Sequence, residues 1–169
     1  MKVVYPPSDE AYLYDLELAP ITEFAGPWSF LSNFHRAVLD WEGQRYPTSE
    51  HAFNAGKSLD PKVRAWIAAA PKPREAKTRG NNRNRCLLRP DWDTRVRYQV
   101  MTEVLLAKFT AHPARRDALL STGRRLLIEG NRWDDQHWGT CLCGRPACLP
   151  DGLNHLGRTL MRIRFRLAG

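Results

Sequence analysis

No apolar run in this chain approaches the ~20 residues a helix needs to cross a bilayer, so a helical membrane-spanning class is excluded. The first residues, Met1-Lys-Val-Val-Tyr-Pro-Pro7, lack the apolar core of a secretory leader, and a cytoplasmic soluble protein is the expectation. Cysteine is scarce: Cys86, Cys141, Cys143 and Cys148 are too few for a disulfide scaffold. Walker, GxGxxG, HExxH and GxSxG patterns are all missing, so neither a P-loop, a dinucleotide fold, a zincin nor a nucleophile elbow can be read from the chain. Internal repeats, low-complexity tracts and long linkers are also missing. With 169 residues, 43% of them hydrophobic, one domain with a real core is the expectation. Residues 1–20, mixed in composition and bounded by prolines, read as an arm packed on a domain over 21–169.

Acidic residues are in deficit. Eighteen Asp and Glu face 26 Lys and Arg, a net charge of +8. The excess is mostly arginine, as in Arg79-Gly-Asn-Asn-Arg-Asn-Arg85. Guanidinium groups bind phosphate bidentately, so the balance favours a phosphate-bearing partner, nucleotide or polymer, over a membrane.

The spacing predicts a mainly α fold, α+β in detail, as a single compact helical domain with a few short strands. Ala37–Trp41 and Gln44–Tyr46 flank Glu42-Gly43 as a hairpin. Ile21–Phe24 and Leu126–Glu129 read as further short strands. Helices are expected from Thr48 or Ser49 to about Leu59, from Pro61 to about Ala70, over Pro73–Arg79, over Trp92–Ala111 with Asp91 as its cap, and over Ala114–Ser121. The tail Leu153–Leu167 begins with helical spacing and ends in strand-like alternation, which periodicity does not resolve.

The richest stretch is Tyr46-Pro-Thr-Ser-Glu-His-Ala-Phe-Asn-Ala-Gly-Lys57. At about 100° per residue, Glu50, Asn54 and Lys57 fall within roughly 60° of one another around a helix axis. A carboxylate, an amide and an amine on one stripe form either a site or a solvated Glu–Lys face. Other islands combine aromatic, acidic and amide groups. Ser32-Asn33-Phe34 follows a Gly-Pro turn and suits a flat heterocycle. Arg89-Pro-Asp-Trp-Asp93 contains Trp92. Glu129–Gly139 sets Asp134 and Asp135 between two tryptophans and ends in Trp138-Gly139. Asn154 and Arg158 lie in a Gly/Asn-led helix start whose N–H groups could meet a phosphate. Cys141, Cys143 and Cys148 form C-x-C-x4-C with His137 and His155 nearby. In a cytosolic chain such a cluster suggests metal over disulfides, but the tight C-x-C departs from the paired C-x2–4-C of structural zinc sites; free thiols in an irregular loop, with no metal and no cofactor, are the reading, and zinc held with His137 or His155 is the alternative.

Taken in order, these islands resemble the NADAR (YbiA-like) family: Gly43-x2-Tyr46-Pro-Thr-Ser-Glu50-His-Ala-Phe-x2-Gly-Lys57, Ser32-Asn-Phe34, Glu75-Ala-Lys77 with Arg79-Gly80, Arg89-Pro-Asp-Trp-Asp93, Met101 through Lys108-Phe109, Asp134/Asp135 with Trp138-Gly139, and Asn154-x2-Gly157-Arg158-x2-Met161-x-Ile-Arg164. The resemblance covers roughly residues 21–167. It implies a compact helical N-glycosidase acting on N-linked ribosides. Substrates in the family are riboflavin-pathway aminopyrimidine ribose phosphates or, in another branch, ADP-ribose on guanine in nucleic acid. It implies Glu50 as the essential carboxylate, Lys57 as the active-site lysine, and Trp92 with Asp134 or Asp135 as the aromatic and acidic positions.

Cleavage at ribose C1 needs a group to trap or stabilise that carbon and an acid for the departing base. A Lys57 of lowered pKa would form a Schiff base while Glu50 moves protons; alternatively, Glu50 activates water and Lys57 binds substrate. Asn33 and Asp135 would orient ribose hydroxyls, Trp92 or Trp138 would stack on the base, and Arg79 or Arg158 would hold phosphate. The alternatives from other classes are a non-catalytic module that binds ADP-ribose or nucleic acid, and a structural basic RNA-associated domain.

Overall fold

A computed structural model describes residues 8–148 and 152–169; residues 1–7 of the expected arm lie outside that range. The described chain is mainly helical with short strands, as expected. Its contacts group into two units, one built from Asn33–Pro113 and the other from the segments up to Ser32 and from Ala114 onward.

In the central unit, Leu39–Trp41 (β1) and Gln44–Tyr46 (β2) form the antiparallel hairpin, with Leu39 opposite Tyr46. Its turn places Glu42 at φ 46° and Gly43 at φ 75°, the two positive values a tight hairpin turn requires. Leu39, Trp41 and Tyr46 alternate inward and are buried. Four helices follow: Ser49–Ala55 (α1), Pro61–Ala68 (α2), Pro73–Asn81 (α3) and Arg97–Ala111 (α4). Thr48 caps α1 by accepting from the His51 N–H, and Asp60 caps α2 by accepting from Lys62 N–H. The first helix ends at Ala55, earlier than expected, so Lys57 sits on the turn that follows it.

The start of the long helix also differs from expectation. Asp91 is left-handed at φ 55° and makes no side-chain cap. Instead its carbonyl accepts from both Arg95 and Val96 N–H at 3.0 Å, and Trp92–Val96 forms a π-type turn leading into α4. Trp92 and Val96 on this turn are both buried. Such turns concentrate at functional sites.

In the other unit, Ser8–Leu13 forms a 3-10 helix that packs on the C-terminal helix His155–Ala168 (α6). Pro113–Ser121 is α5. Ile21 and Leu127 make a single parallel bridge rather than paired strands, so the strands expected over 21–24 and 126–129 reduce to that contact. The ladder falls instead on Gly130–Asn131 (β3) and Thr140–Cys141 (β4), paired in parallel. The ambiguous tail is helical to its end, because Leu156, Leu160, Met161 and Ile163 are buried while Arg162, Phe165 and Arg166 face out. At the centre of α6, Arg164 is 4% exposed. It donates to Thr122 Oγ1 (2.8 Å), Arg125 O (2.9 Å) and Leu13 O (2.8 Å). Burial, with Arg124 nearby, pulls this guanidinium down to about 10. Among the described residues no helix is long and apolar enough to cross a membrane.

Candidate active site

Every residue of α1 is buried, and so are Gly56, Lys57 and Ser58. Glu50 is 7% exposed, Asn54 0% and Lys57 7%, which rules out the solvated-face reading of the stripe. Burying ionisable and amide groups is costly unless they are paired, and here the pairing is specific. Asn54 Nδ2 donates to the Glu50 carbonyl at 2.8 Å and to its carboxylate Oε1 at 2.9 Å. Lys57 Nζ donates to Asn81 Oδ1 at 2.7 Å and lies 5.9 Å from the Phe53 ring centre. Burial pulls the amine down to about 8; the Glu50 carboxylate pulls it back up, and Arg83 pushes it further down. A neutral amine is therefore accessible near physiological pH, the condition a lysine nucleophile requires.

Three neighbours hold this arrangement. Gly80 on α3 abuts Asn54: a Cβ there would meet Asn54 Oδ1 at 2.6 Å and Asn54 Cβ at 2.7 Å, so only glycine lets α3 close on α1 at this height. The Arg89 N–H donates to the Lys57 carbonyl at 2.8 Å, tying the segment before Trp92 to the turn that carries the lysine. His51 bridges Thr48 Oγ1 (2.8 Å) and the Ala70 carbonyl (3.0 Å). Burial lowers its pKa, and a neutral ring that donates from Nε2 to the carbonyl and accepts at Nδ1 satisfies both contacts. His51 thus pins α1 to the end of α2.

Asn33 reaches the same region from the start of the unit. Its carbonyl accepts from Glu50 N–H at 3.0 Å and its Nδ2 lies 3.4 Å from Met101 sulfur. Its Oδ1 and the Oδ1 of Asn54 are buried without a hydrogen-bond partner, the latter packed against Gly80. Phe34 is exposed at 44%. Trp92 packs its ring 5.3 Å from Phe53 at 48° and is 5% exposed, so it serves as a wall beneath the lysine turn rather than an open stacking face.

A half-buried aromatic that sequence reasoning did not place in the site is Trp66 of α2. Arg85 lies 3.9 Å and Arg79 5.2 Å from its ring centre. Arg79 also pairs with Glu75 and donates to Trp66 O at 2.6 Å. Trp66, Thr78, Arg79, Asn81 and Asn82 line an open cleft of about 470 Å³, and Asn81 joins that cleft to the Lys57 amine. Asn81 was likewise missed. Its signal was local only: it lies in the Arg/Asn-rich run, one residue beyond Gly80.

The remaining expected residues belong to the other unit. Ser32 N–H closes the 3-10 turn Gly26–Leu31 by donating to Ser29 O at 3.0 Å. Asp135 Oδ1 accepts from His137 N–H (3.1 Å) and Trp138 N–H (2.8 Å), so this carboxylate shapes its own loop. Asp134 is left-handed at φ 69°. Trp138 meets the His137 ring edge-on at 5.2 Å. Gly139 passes so close to the Glu129 carbonyl that a side chain would collide with it.

Asn154 and its helix start are engaged internally. The Asn154 side chain accepts from Glu129 N–H (3.0 Å) and donates to Leu127 O (2.9 Å). The N–H groups of Asn154, His155 and Leu156 donate to the carbonyls of Gly139, His137 and Trp138. Gly157 lets α6 press on the Leu127 carbonyl. The N–H donors expected to meet a phosphate are thus given to the chain itself. Arg158 is paired with Glu10 at 2.8 Å, and Arg162 binds the same carboxylate.

Comparison with known proteins fits this geometry. The profile of the NADAR domain matches residues 22–168. N-glycosidase Npun_R5314 of Nostoc punctiforme is 40% identical over 141 residues, 82% of this chain and 85% of that protein. N-glycosidase YbiA of Escherichia coli is 38% identical over 137 residues, 81% of this chain and 80% of that one. The NMR structure of E. coli YbiA superposes with a TM-score of 0.75 at 33% identity, covering 94% and 90% of the two chains. The maize riboflavin biosynthesis protein PYRR is 32% identical over an alignment spanning 98% of this chain and 29% of that protein. A profile match over nearly the whole length, with relatives at this identity, places the chain in the NADAR domain family.

Proposed function

We propose that this chain, an N-glycosidase, hydrolyses the N-ribosidic bond of a phosphate-bearing riboside through a Schiff base on Lys57. The observation that carries the reading is the buried lysine with its amine lowered to about 8, one helical turn from the buried Glu50–Asn54 pair. A module that only binds phosphate gains nothing from a desolvated amine, since a charged lysine at the surface serves better.

Opening of the ribose ring breaks the C1–O4 bond, the ring oxygen takes the proton that the base nitrogen gives up, and C1 is left joined to that nitrogen as an imine. The neutral Lys57 amine adds to C1, the base nitrogen takes a proton from Glu50 and leaves with the C1–N bonding pair, and C1 remains as an imine to Nζ. Water then adds to C1 with Glu50 as base. The Nζ–C1 bond breaks, Lys57 regains a free amine, and the sum is riboside plus water giving free sugar and free base. Asn33 Oδ1 supplies an acceptor for a ribose hydroxyl while Asn54 holds Glu50 in place, and Arg79 with Trp66 offers phosphate and base contacts at the cleft.

Two substrate classes fit. The name of the maize relative favours an aminopyrimidine ribose phosphate of the riboflavin pathway. The +8 charge and the Arg79–Arg85 run beside the cleft favour ADP-ribose on guanine in nucleic acid.

Incubation with each substrate, following release of base and sugar, separates them. Borohydride added during turnover is expected to leave a sugar-derived mass adduct on Lys57; full turnover with no adduct would sink the Schiff-base route. Glu50→Gln is expected to lower kcat by at least ~10²-fold, the usual worth of a positioned acid–base group. Unchanged activity in that variant would remove Glu50 from the chemistry by either route.

A further inference from the structure

The loop between β4 and α6 holds chemistry that the reaction above does not use. Cys141, Cys143 and Cys148 bring their sulfurs within 4.8 Å of one another. The tight C-x-C spacing, unlike that of common zinc motifs, has a structural explanation here. Cys141 ends β4, and the chain bends at Cys143, which leaves the two sulfurs within 4.8 Å of each other. The 3-10 turn Pro146–Cys148 then returns the third sulfur to this pair, where Cys148 Sγ lies 3.2 Å from Cys143 Sγ. Asp134 Oδ1 lies 3.3 Å from Cys148 Sγ, beside the three-sulfur cluster and not within it, so it takes the fourth position only by turning its carboxylate inward. Neither His137 nor His155 joins the group.

We propose that Cys141, Cys143, Cys148 and Asp134 bind one zinc ion in a tetrahedral S3O cage. With Zn–S of about 2.3 Å and Zn–O of about 2.0 Å, the edges of such a cage are about 3.8 Å between sulfurs and about 3.5 Å from sulfur to oxygen. The sulfur separations span the first and the Asp134–Cys148 contact approaches the second, and a swing of the Asp134 carboxylate toward the other two sulfurs completes the cage. A Cys143–Cys148 disulfide would use only two of the three converging sulfurs.

The surroundings also suit a metal. Asp134 holds its carboxylate there at the cost of a left-handed backbone, a strain that concentrates at functional positions. Gln136 clamps both ends of the loop, accepting from Cys141 N–H and donating to Cys148 O, each at 2.8 Å. Arg145 donates from Nε to Cys143 Sγ at 3.3 Å. Three thiolates and a carboxylate around Zn²⁺ carry a net charge of −2, which this guanidinium offsets, as outer partners of metal ligands do. Cys141 and Cys148 are 6% and 3% exposed, so the ion would be largely shielded from water. The ion would act as a staple, fixing the loop that continues from Asp134 into Asp135 and Trp138.

The test is metal content and spectroscopy on the full chain purified under reducing conditions with zinc in the medium. The expected result is about one zinc per chain, and a cobalt-substituted protein with sulfur-to-cobalt charge-transfer bands and the intense d–d bands of a tetrahedral site. Cys143→Ser, at the most accessible ligand, is expected to lower zinc affinity at least tenfold without unfolding the chain. Asp134→Asn is expected to shift the cobalt d–d bands. Substoichiometric zinc in the reduced wild-type protein would overturn the proposal, as would zinc affinity in Cys143→Ser equal to wild type. So would a Cys143–Cys148 disulfide found by peptide mapping of protein isolated with zinc present. An Asp134→Asn cobalt spectrum identical to wild type would overturn the S3O cage. The cobalt spectrum of the wild-type chain keeps the test decisive even if a serine variant fails to fold.

Discussion

At the scale of single residues, the decisive quantity is the free energy of a buried amine. Lys57 has a folded-state pKa of about 8, below the value of about 10.4 for an unfolded lysine. Between those two values the unfolded chain binds more protons, so the Lys57 contribution makes stability rise with pH from about 8 to about 10.4; below about 8 the penalty for burying the cation is fully present. Activity that requires the neutral amine follows the same group. We expect kcat to rise with pH and level off above about 8, as the Lys57 amine loses its proton. A kcat that is flat from pH 6 to 9 in the wild type would count against a nucleophilic amine. Lys57→Met is also expected to lose activity without losing thermal stability, because a thioether replaces a desolvated charge on a chain of matching length. A large fall in Tm would mean that the Asn81 contact and the Glu50 attraction outweigh the burial cost.

At the scale of elements, two contacts of the helices make opposite use of small and large side chains. Gly80 lies inside α3, where glycine is worth about 1 kcal/mol less than alanine in isolation. Propensity alone would therefore favour Gly80→Ala. The added Cβ would meet Asn54 Cβ at 2.7 Å, and Asn54 Cβ stands next to the backbone and cannot swing away. Overpacking of this kind costs about 1–3 kcal/mol, so Gly80→Ala is expected to lower both Tm and kcat. A stabilised variant would show that α3 can slide on α1. In α6, Arg164 satisfies two carbonyls and the Thr122 hydroxyl. Arg164→Met fills the space but leaves those acceptors buried, at a cost of about 3 kcal/mol, measurable as a lower urea midpoint. Catalysis should be retained by the folded fraction.

These elements also show how far the sequence could be read. The hairpin turn, the Thr48 cap and the run of four helices follow from local chemistry; α2 and α3 lie close to their expected positions, while α1 ends early and α4 begins only after the π-type turn. The strand at 126–129 and the Asp91 cap did not follow, because both depended on which carbonyl the chain would find at long or i→i+5 range. In the site, the Glu50–Asn54–Lys57 stripe was visible as spacing, while Asn81 and Trp66 were not. Their roles arise from α3 closing on α1 and from two arginines flanking one ring. Asn154, Gly139 and Gly157 stood out as a motif for a reason other than substrate contact: they let α6 and the 137–139 carbonyls approach.

At the scale of the whole molecule, charge makes the general prediction. A surplus of eight positive charges on 169 residues should give non-specific binding to DNA or RNA that weakens at least tenfold between about 50 and 200 mM salt, since each neutralised phosphate releases a counterion. Fluorescence anisotropy with a labelled duplex would measure the slope. A flat dependence would remove the charge-based argument for a polymeric substrate and leave the small riboside as the favoured class.

The sequence by itself determined the helical class, the hairpin, the Thr48 cap and the polar stripe, because these rest on periodicity and on hydrogen bonds between near neighbours. It also determined the basic surface, which needs no coordinates. The tertiary structure alone decided that the stripe is buried, that Lys57 is thereby brought to about 8, and that Asn81 is its partner. It also turned three cysteines at an unpromising spacing toward one point, with Asp134 beside Cys148. Desolvation and long-range proximity belong to the packed chain, and no local pattern encodes their magnitude.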